Sequence, residues 1–359
     1  MVAKQPSSST FARKIVNPLG FTKTYNFWLY FVFGGALLGF SLARLQYLAF
    51  SSKFCPADGP SSTGNSAAPG ECYYYLNFNR FKVGILLHLG GILPAGIIAV
   101  LQFTPFIRHR WLILHRIGGY ASLLLYLISL VGALMIIRHA FGGGLDVQSS
   151  LGALGVTTLG CFIISYINVK KLQIEQHRAW MLRGWFYAGC IITTRIIMII
   201  SAQIIKNSGY YTVWPCAKIS ATIEDGIDLV ASYPACSAFV DGSNLDAVSA
   251  VAATIGSGDR ANTGAALNIA FGMAVWLAFA LHALGVEIYL HLTPREAQRL
   301  RQVSYQKQLE AGMRNPGSAG LTSDRLGDAE RWSPDASRKD STSPLTPGTP
   351  EPNPRVERK

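Results

Sequence analysis

Histidine, arginine and amide side chains lie inside stretches that are otherwise apolar, and these are the residues with which this chain can do chemistry. Arg183 and Arg195 both fall within one apolar run that follows a polar loop. A helical repeat joins His177 to Arg195 along a strip that includes Gly184 and Ala188. An arginine in hydrocarbon keeps its proton and therefore needs acceptors or an anionic partner.

Counting along the apolar runs predicts two polar clusters at different depths. With a rise of ~1.5 Å per residue and a hydrocarbon core of ~30 Å, three residues fall within about 10 Å of the outer boundary. These are His88, Arg195 and Asn268. A second group gathers near the inner boundary: Gln102, His115, His177, Arg183, His282 and Glu287.

The first hypothesis for the inner cluster is haem b. Neutral imidazoles from two helices can bind haem iron on its two faces, and arginines can neutralise the propionates. The inner cluster offers His115, His177 and His282 as iron ligands, which would make the protein an electron-transfer protein. The outer cluster has only His88, unless His139 folds inward from a loop. The alternative is that such histidines lie at the membrane interface and bind head groups or carbonyl groups.

A second hypothesis assigns Arg195 an anionic ligand. No span offers Arg195 an acidic residue at its own depth, so its acceptors would be Asn268, His88, backbone carbonyls, water or a bound anion. An enzyme or carrier could then hold the anionic group of a lipid or small molecule there, with His88 exchanging a proton. A non-catalytic membrane role is the third alternative, and whether the protein is an enzyme stays open. Motifs for zinc proteases, thiol redox proteins, nucleotide hydrolases and serine esterases are absent from the sequence.

The elements that must position these residues are membrane-spanning helices. The chain has 359 residues, of which 50% are hydrophobic and 14% charged. This composition fits several spans followed by a polar tail. We predict an all-α polytopic membrane protein: a cytoplasmic N-terminal segment (1–25) and a bundle of six transmembrane helices (26–291) with outer loops 51–81 and 206–262. An amphipathic cytoplasmic helix (292–313) and a disordered C-terminal tail (314–359) follow.

Basic residues and cysteines segregate to opposite sides of this bundle. The loops predicted to be cytoplasmic carry the arginines and lysines, so both termini are predicted to be cytoplasmic. We attribute the net charge of +12 to topology and anionic head groups rather than to nucleic acid. Cysteines 55, 72, 216 and 236 fall in the two outer loops, where thiols oxidise. Three connectivities are open, and the local pairs Cys55 with Cys72 and Cys216 with Cys236 are the simplest.

Four segments together resemble a known family. HLGGILPAG begins at His88, LHRIGGYASL at Leu114, HAFGGG at His139 and QHRAWMLRGWFYAGCIITTRI at Gln176. Over about residues 80–200 the chain resembles the multi-pass membrane family named for domain of unknown function 2306, and the HRxWMxR string is the most specific part. The resemblance implies a membrane fold but no particular reaction. It marks these residues: His88, Gln102, His115, Gly119, His177, Trp180, Met181, Arg183 and Arg195.

Overall fold

The computed structural model describes residues 19–21, 23–56, 67–224 and 226–334. Six helices are long and apolar enough to cross a membrane: α1 (Thr24–Leu48), α3 (Asn79–Phe103), α5 (Leu112–Ile136), α6 (Leu145–Lys170), α7 (Ile174–Ile205) and α11 (Arg260–His291). The predicted all-α polytopic membrane fold with six spans is therefore confirmed. Helix α1 contains a π-helical turn at Tyr30–Gly34 and ends in a 3-10 turn.

The helices begin earlier than the apolar runs because their first turns are polar. Helix α6 starts at Leu145, six residues before the apolar run that begins at Leu151, and its first turn includes Asp146. An acidic residue there is stabilised by the free N–H groups of a helix start. Helices α7 and α11 have 32 residues each. At ~1.5 Å per residue such a helix is longer than the ~30 Å hydrocarbon core.

The segments predicted as outer loops contain regular structure. Helix α2 (Glu71–Asn77) precedes the second span, and a π-helical turn occupies Phe50–Phe54. The second loop holds one antiparallel sheet of β1 (Tyr211–Pro215) and β2 (Val248–Ala252), in which Val213 faces Ala250. Between the strands lie the short helices α8 (Cys216–Ser220), α9 (Leu229–Ser232) and α10 (Ser237–Val240). We call residues 49–78 and 206–259 the cap.

The remaining helices are α4 (Pro105–Arg110), α12 (Pro294–Glu310) and α13 (Ser323–Leu326). Within the segment predicted to be a disordered tail, residues 314–334 have a defined conformation. Residues 335–359 lie outside the described residues, as do residues 1–18 of the predicted cytoplasmic N-terminal segment.

The chain forms two compact units. The first comprises Met1–Leu159 and Gly184–Gly285, and it includes the cap. Its apolar core contains Phe271, Val275 and Met198, and a second cluster in the cap surrounds Trp214. The second unit comprises Gly160–Arg183 and Val286–Lys359. Helices α6, α7 and α11 contribute residues to both units.

Helices α3 and α5 pack backbone against backbone within the first unit. A methyl group built on Gly91 would lie 2.5 Å from the carbonyl oxygen of Leu125, and one built on Gly132 would overlap the carbonyl oxygen of Gly84. Only glycine allows this approach, as is common between membrane helices. The neighbouring Gly90 has open space at the same point. The close contact fixes the position of His88, which lies on the same helix.

Candidate ligand-binding site

His88 is held by the helix that packs against its own. Its Nδ1 atom lies 3.0 Å from the hydroxyl oxygen of Ser129 and 3.2 Å from the carbonyl oxygen of the same residue. Because α3 and α5 approach so closely, these contacts are direct. His88 also lies within electrostatic reach of Arg195. Both residues therefore belong to the same part of the first unit.

Phe141 is placed by a strained loop between α5 and α6. It has φ 47° and ψ 47°, a left-handed conformation that disfavours a bulky side chain by roughly 1–2 kcal/mol. Its ring stacks on Phe271, with centroids 4.1 Å apart and planes at 18°. The Arg195 guanidinium carbon lies 4.3 Å from the centre of the Phe141 ring and 5.5 Å from that of Phe271. Such strain persists only where surrounding contacts hold it, and it is common at functional sites.

Glu71, which lies outside the spans, supplies an acidic group close to Arg195. Its side chain comes from α2 in the cap and is only 3% exposed. One carboxylate oxygen accepts a hydrogen bond from the backbone N–H of Phe141 (2.8 Å), and the other accepts from the hydroxyl of Tyr75 (3.0 Å). Burial raises the pKa of the Glu71 carboxyl, against the opposing effects of Lys218, the two hydrogen bonds and Arg195. The sequence analysis considered acidic residues within the spans only, whereas Glu71 comes from a helix outside them.

Asn268 is buried beside the same loop. It is 6% exposed, and its side chain lies against Gly142, whose φ is +83°. A methyl group built on Gly142 would lie 3.1–3.2 Å from the Asn268 side chain. Among the described residues, neither the amide nitrogen nor the amide oxygen of Asn268 has a hydrogen-bond partner. Each unpaired buried polar group costs about 1–3 kcal/mol, so a side chain with two of them calls for an explanation.

Lys218 is a buried amine on α8, only 1% exposed. Its Nζ lies 3.6 Å from the ring centre of Trp214 and 5.5 Å from that of Tyr74. Gly70 leaves the space for its stem, since a methyl group there would lie 2.5 Å from the Lys218 Cε. Burial lowers the pKa of the Lys218 amine to about 8, although the negative charge of Glu71 opposes this effect. Glu71 therefore interacts electrostatically with two cations, Lys218 and Arg195.

Two disulfides cross-link the cap close to Glu71 and Lys218. Cys55 is bonded to Cys72 and Cys216 to Cys236, so the simplest predicted pairing is confirmed. Cys72 directly follows Glu71, and Cys216 precedes Lys218 by two residues. The sequence analysis missed Glu71, Lys218 and Phe141 as site residues. The closeness of Glu71 and Lys218 to the cysteines was not a sufficient signal, since Lys53 also lies two positions from a paired cysteine and is exposed.

We define the Arg195 site as Arg195, Asn268, Glu71 and the loop residues Phe141 and Gly142. The guanidinium fork and the Asn268 amide both offer N–H donors, and Lys218 adds a second positive charge nearby. Donors of this kind recognise carboxylate, sulfonate and phosphate groups. His139 does not join this site as a second ligand beside His88. Its ring stacks instead on Tyr74, with ring centres 4.3 Å apart.

The residues predicted near the inner boundary are divided between the two units. In the first unit, both ring nitrogens of His282 are engaged, one with the hydroxyl of Thr193 (2.9 Å) and the other with the carbonyl oxygen of Phe186 (2.7 Å). The side chain of Gln102 on α3 packs against Gly118 of α5, the helix that also carries His115. Its amide oxygen is buried and has no hydrogen-bond partner in the described part of the chain.

The second unit contains His177 and Arg183. The Nδ1 atom of His177 lies 2.8 Å from the hydroxyl of Ser165. Arg183 forms a two-pronged ion pair with Glu287, with N to O distances of 2.6 and 2.8 Å, and its guanidinium carbon lies 4.6 Å from the Trp180 ring centre. Within the described ranges, no group of three or more His, Cys, Asp or Glu side chains could hold a metal ion. Together with the engaged nitrogens of His282, this leaves the haem hypothesis without support.

A dense polar network occupies the rest of the second unit. Residues 314–334 pack against α12 and the turn between α6 and α7, and we call these three segments together the C-terminal clasp. Gln173 and Gln308 are fully buried, and Gln308 binds the Lys171 carbonyl oxygen, the Gln173 amide oxygen and the Gly317 N–H. Arg301 donates to Asp324 (2.7 Å) and to the Gly317 carbonyl (3.1 Å).

Comparisons with known proteins agree with the membrane fold. The sequence model of a family described as "Predicted membrane protein (DUF2306)" matches residues 85–220. "Ava biosynthesis cluster protein G" from Aspergillus versicolor is 24% identical over 322 residues, which cover 79% of this chain and 94% of that protein. No solved structure matches the chain significantly. Over residues 85–220, and thus around His88, Phe141, Arg195 and Lys218, the predicted resemblance to the DUF2306 family of membrane proteins is confirmed.

Proposed function

We propose that this protein binds a small molecule or lipid through an anionic group held at the Arg195 site. The observation that carries the proposal is Asn268, a buried amide with no hydrogen-bond partner among the described residues. It lies beside the loop that holds Phe141 against Arg195. A buried amide of this kind is stable when a ligand completes its hydrogen bonds.

The contacts of Arg195 support the same proposal. In the described part of the chain its guanidinium contacts ring faces, and Glu71 acts on it electrostatically without an ion pair within 4.0 Å. Arg195 and Lys218 together carry two positive charges against the single carboxyl of Glu71. An anionic ligand would give the guanidinium the planar, two-pronged partner that it lacks in the protein.

The name of the relative supports a small molecule as the ligand. The Aspergillus versicolor protein is named for a biosynthesis cluster. By that similarity we propose that the ligand of this chain is an intermediate or product of small-molecule biosynthesis. A carrier would move such a ligand across proteoliposomes, an enzyme would convert it without a gradient, and a scaffold would do neither.

The test compares ligand binding to full-length protein in detergent by isothermal titration calorimetry. Octanesulfonate serves as the probe with a tail, and inorganic sulfate and dioctanoyl phosphatidate distinguish a free anion from a lipid head group. Arg195→Leu should bind octanesulfonate roughly ten- to a hundredfold more weakly, since a hydrogen bond to a charged group contributes about 1.5–3 kcal/mol. Arg195→Lys should also bind weakly, because it keeps the charge but loses the fork.

Arg178→Leu is the matched control for this test. Arg178 lies on the same helix and also over an aromatic ring, but its guanidinium donates to the Tyr289 hydroxyl (2.9 Å). The control should bind the probe as the wild type does. An Arg195→Leu protein that melts like the wild type and binds octanesulfonate equally well would overturn the proposal.

We further propose that the cap faces the outside of the cell or an organelle lumen, with both termini cytoplasmic. Both disulfides lie in the cap, and disulfides persist in oxidising compartments. Single cysteines at the exposed positions Leu245 in the cap and Glu330 in the C-terminal clasp test this, because Cys161 and Cys190 are buried. A membrane-impermeant thiol reagent should label position 245 only when it is applied to the outer or lumenal face, in intact cells for a plasma-membrane protein or in inside-out sealed vesicles for an organelle protein. Labelling of position 330 only would reverse the orientation.

A further inference from the structure

Glu71 lies where a bound anion at Arg195 would act on it. The carboxyl is 3% exposed, and it interacts electrostatically with both Lys218 and Arg195. Glu71 also contacts the site directly. One of its carboxylate oxygens accepts a hydrogen bond from the backbone N–H of Phe141, the residue whose ring covers Arg195. An anion at Arg195 therefore adds a second negative charge beside a buried carboxyl.

The hydrogen bonds of Glu71 suit either protonation state. The Phe141 N–H can only donate, so the oxygen that it contacts stays an acceptor. The Tyr75 hydroxyl can donate to a carboxylate or accept from a protonated carboxyl, so the other oxygen can carry a proton without losing its partner. A proton can thus be added to Glu71 while both of its contacts remain.

We propose that binding of an anion at Arg195 is coupled to the uptake of one proton by Glu71. This inference rests on the proposed function of the same site. Two like charges in a buried site oppose each other, so the bound anion favours the neutral carboxylic acid. The proton comes from bulk solvent and goes to the carboxylate oxygen that faces Tyr75, and no bond other than this O–H forms or breaks.

Proton uptake by Glu71 must be distinguished from uptake by the other titratable groups that face it. They are Tyr74 and Tyr75 on its own helix α2, Lys218 on α8 and Arg195 on α7. Arginine and tyrosine keep their protons near neutral pH, whereas a buried lysine can take one up when an anion binds. A neutral histidine can do the same, so Lys218 and His88, which lies within electrostatic reach of Arg195, are the rival proton acceptors, and proton uptake by Glu71→Gln distinguishes both from Glu71.

The experiment titrates octanesulfonate into the full-length protein between about pH 5 and about pH 9, a range in which a sulfonate does not titrate. Calorimetry in two buffers of different ionisation enthalpy counts the protons taken up for each anion bound. The wild type should take up about one proton within part of this range, and its Kd should rise towards about tenfold per pH unit there. Glu71→Gln, a neutral mimic of the protonated acid, should bind without proton uptake and with a Kd independent of pH.

Two further variants complete the test. Lys218→Met should still take up the proton, and Asp241→Asn, which removes an exposed carboxylate from the cap, should behave as the wild type does. A wild-type protein that binds octanesulfonate with no proton uptake would overturn the coupling and leave the proposed function intact. Uptake that persists in Glu71→Gln would also overturn it, because another group, such as Lys218 or His88, would then take the proton. If neither the wild type nor Glu71→Gln binds the probe at any pH, the proposed function itself fails.

Discussion

The C-terminal clasp and the Arg195 site treat buried polar groups in opposite ways. In the clasp, Gln173 and Gln308 are fully buried, and their amide groups bind each other and the backbone. In the Arg195 site, Asn268 is almost as well buried but has no hydrogen-bond partner in the described residues. A complete network fixes a conformation, whereas an incomplete one has capacity left for something else to bind. The contrast distinguishes Gln173 and Gln308, whose amides are satisfied within the protein, from Asn268, whose amide is not.

Aromatic rings show the same difference. Arg301 in the clasp packs 5.3 Å from the Trp332 ring centre, but it also donates to Asp324, Ser318 and Gly317. Arg195 lies over two rings that stack on each other, and it has no such set of acceptors among the described residues. A ring face attracts a cation but satisfies few of the five N–H groups of a guanidinium. Arg195 is thus oriented by its neighbours while its donors stay available.

The largest effect that we predict is for Gln308→Leu in the clasp. This change leaves the buried N–H of Gly317 and the carbonyl of Lys171 without their Gln308 partner. Because each such group costs about 1–3 kcal/mol, the clasp should lose roughly 3 kcal/mol of stability. Limited proteolysis within residues 314–334, compared with the wild type, measures the loss directly.

The counterpart of this change in the other region is Asn268→Leu, which serves as its control. The substitution keeps the branched shape and the number of side-chain heavy atoms, and it removes two polar atoms that have no partner among the described residues. It should therefore leave the melting temperature unchanged or raise it. A melting temperature several degrees below that of the wild type would show that Asn268 is satisfied in the protein, and the contrast between the two regions would disappear.

The sequence was a good guide where one residue property decides the structure. Hydropathy over a bilayer's length was enough for the six spans, and the segregation of basic residues and cysteines into different loops pointed to the two disulfides. Arg195 and Asn268 could be selected because a polar group in an apolar run needs a partner.

Features that depend on how separate loops meet could not be predicted in this way. Glu71 lies in a polar loop, and only the fold of the cap brings it under Phe141. The left-handed conformation of Phe141 also has no sequence signal, since glycine is the residue expected there. The sequence alone does not show that Gln173 and Gln308 are buried. Their burial depends on contacts between segments of the clasp that lie more than 100 positions apart.

The smallest effect that we predict is on the pH dependence of folding stability. The contributions of a carboxyl in the clasp and of Glu71 beside Arg195 should change with pH in opposite directions. Burial raises the pKa of the Asp324 carboxyl in the clasp, but hydrogen bonds from Ser318 and Arg301 outweigh it and hold the pKa well below its usual range. A carboxyl with a depressed folded-state pKa contributes stability above its unfolded pKa, and this stability is lost as pH falls through the folded-state value. Asp324→Asn should therefore differ most from the wild type near neutral pH and least in acid.

Glu71 should show the opposite dependence, because burial raises its pKa. A group with a raised folded-state pKa favours the folded protein below its unfolded pKa, and that contribution is lost as pH rises through the folded-state value. Glu71→Gln should then match the wild type in acid and melt about 1–3 °C higher at neutral or alkaline pH. Melting curves of the three proteins from about pH 3.5 to about pH 8.5 provide the comparison. If both variants diverge from the wild type in the same direction as pH rises, Glu71 is held as an ordinary paired carboxylate that resists protonation, and the proposed coupling of anion binding to proton uptake loses its support.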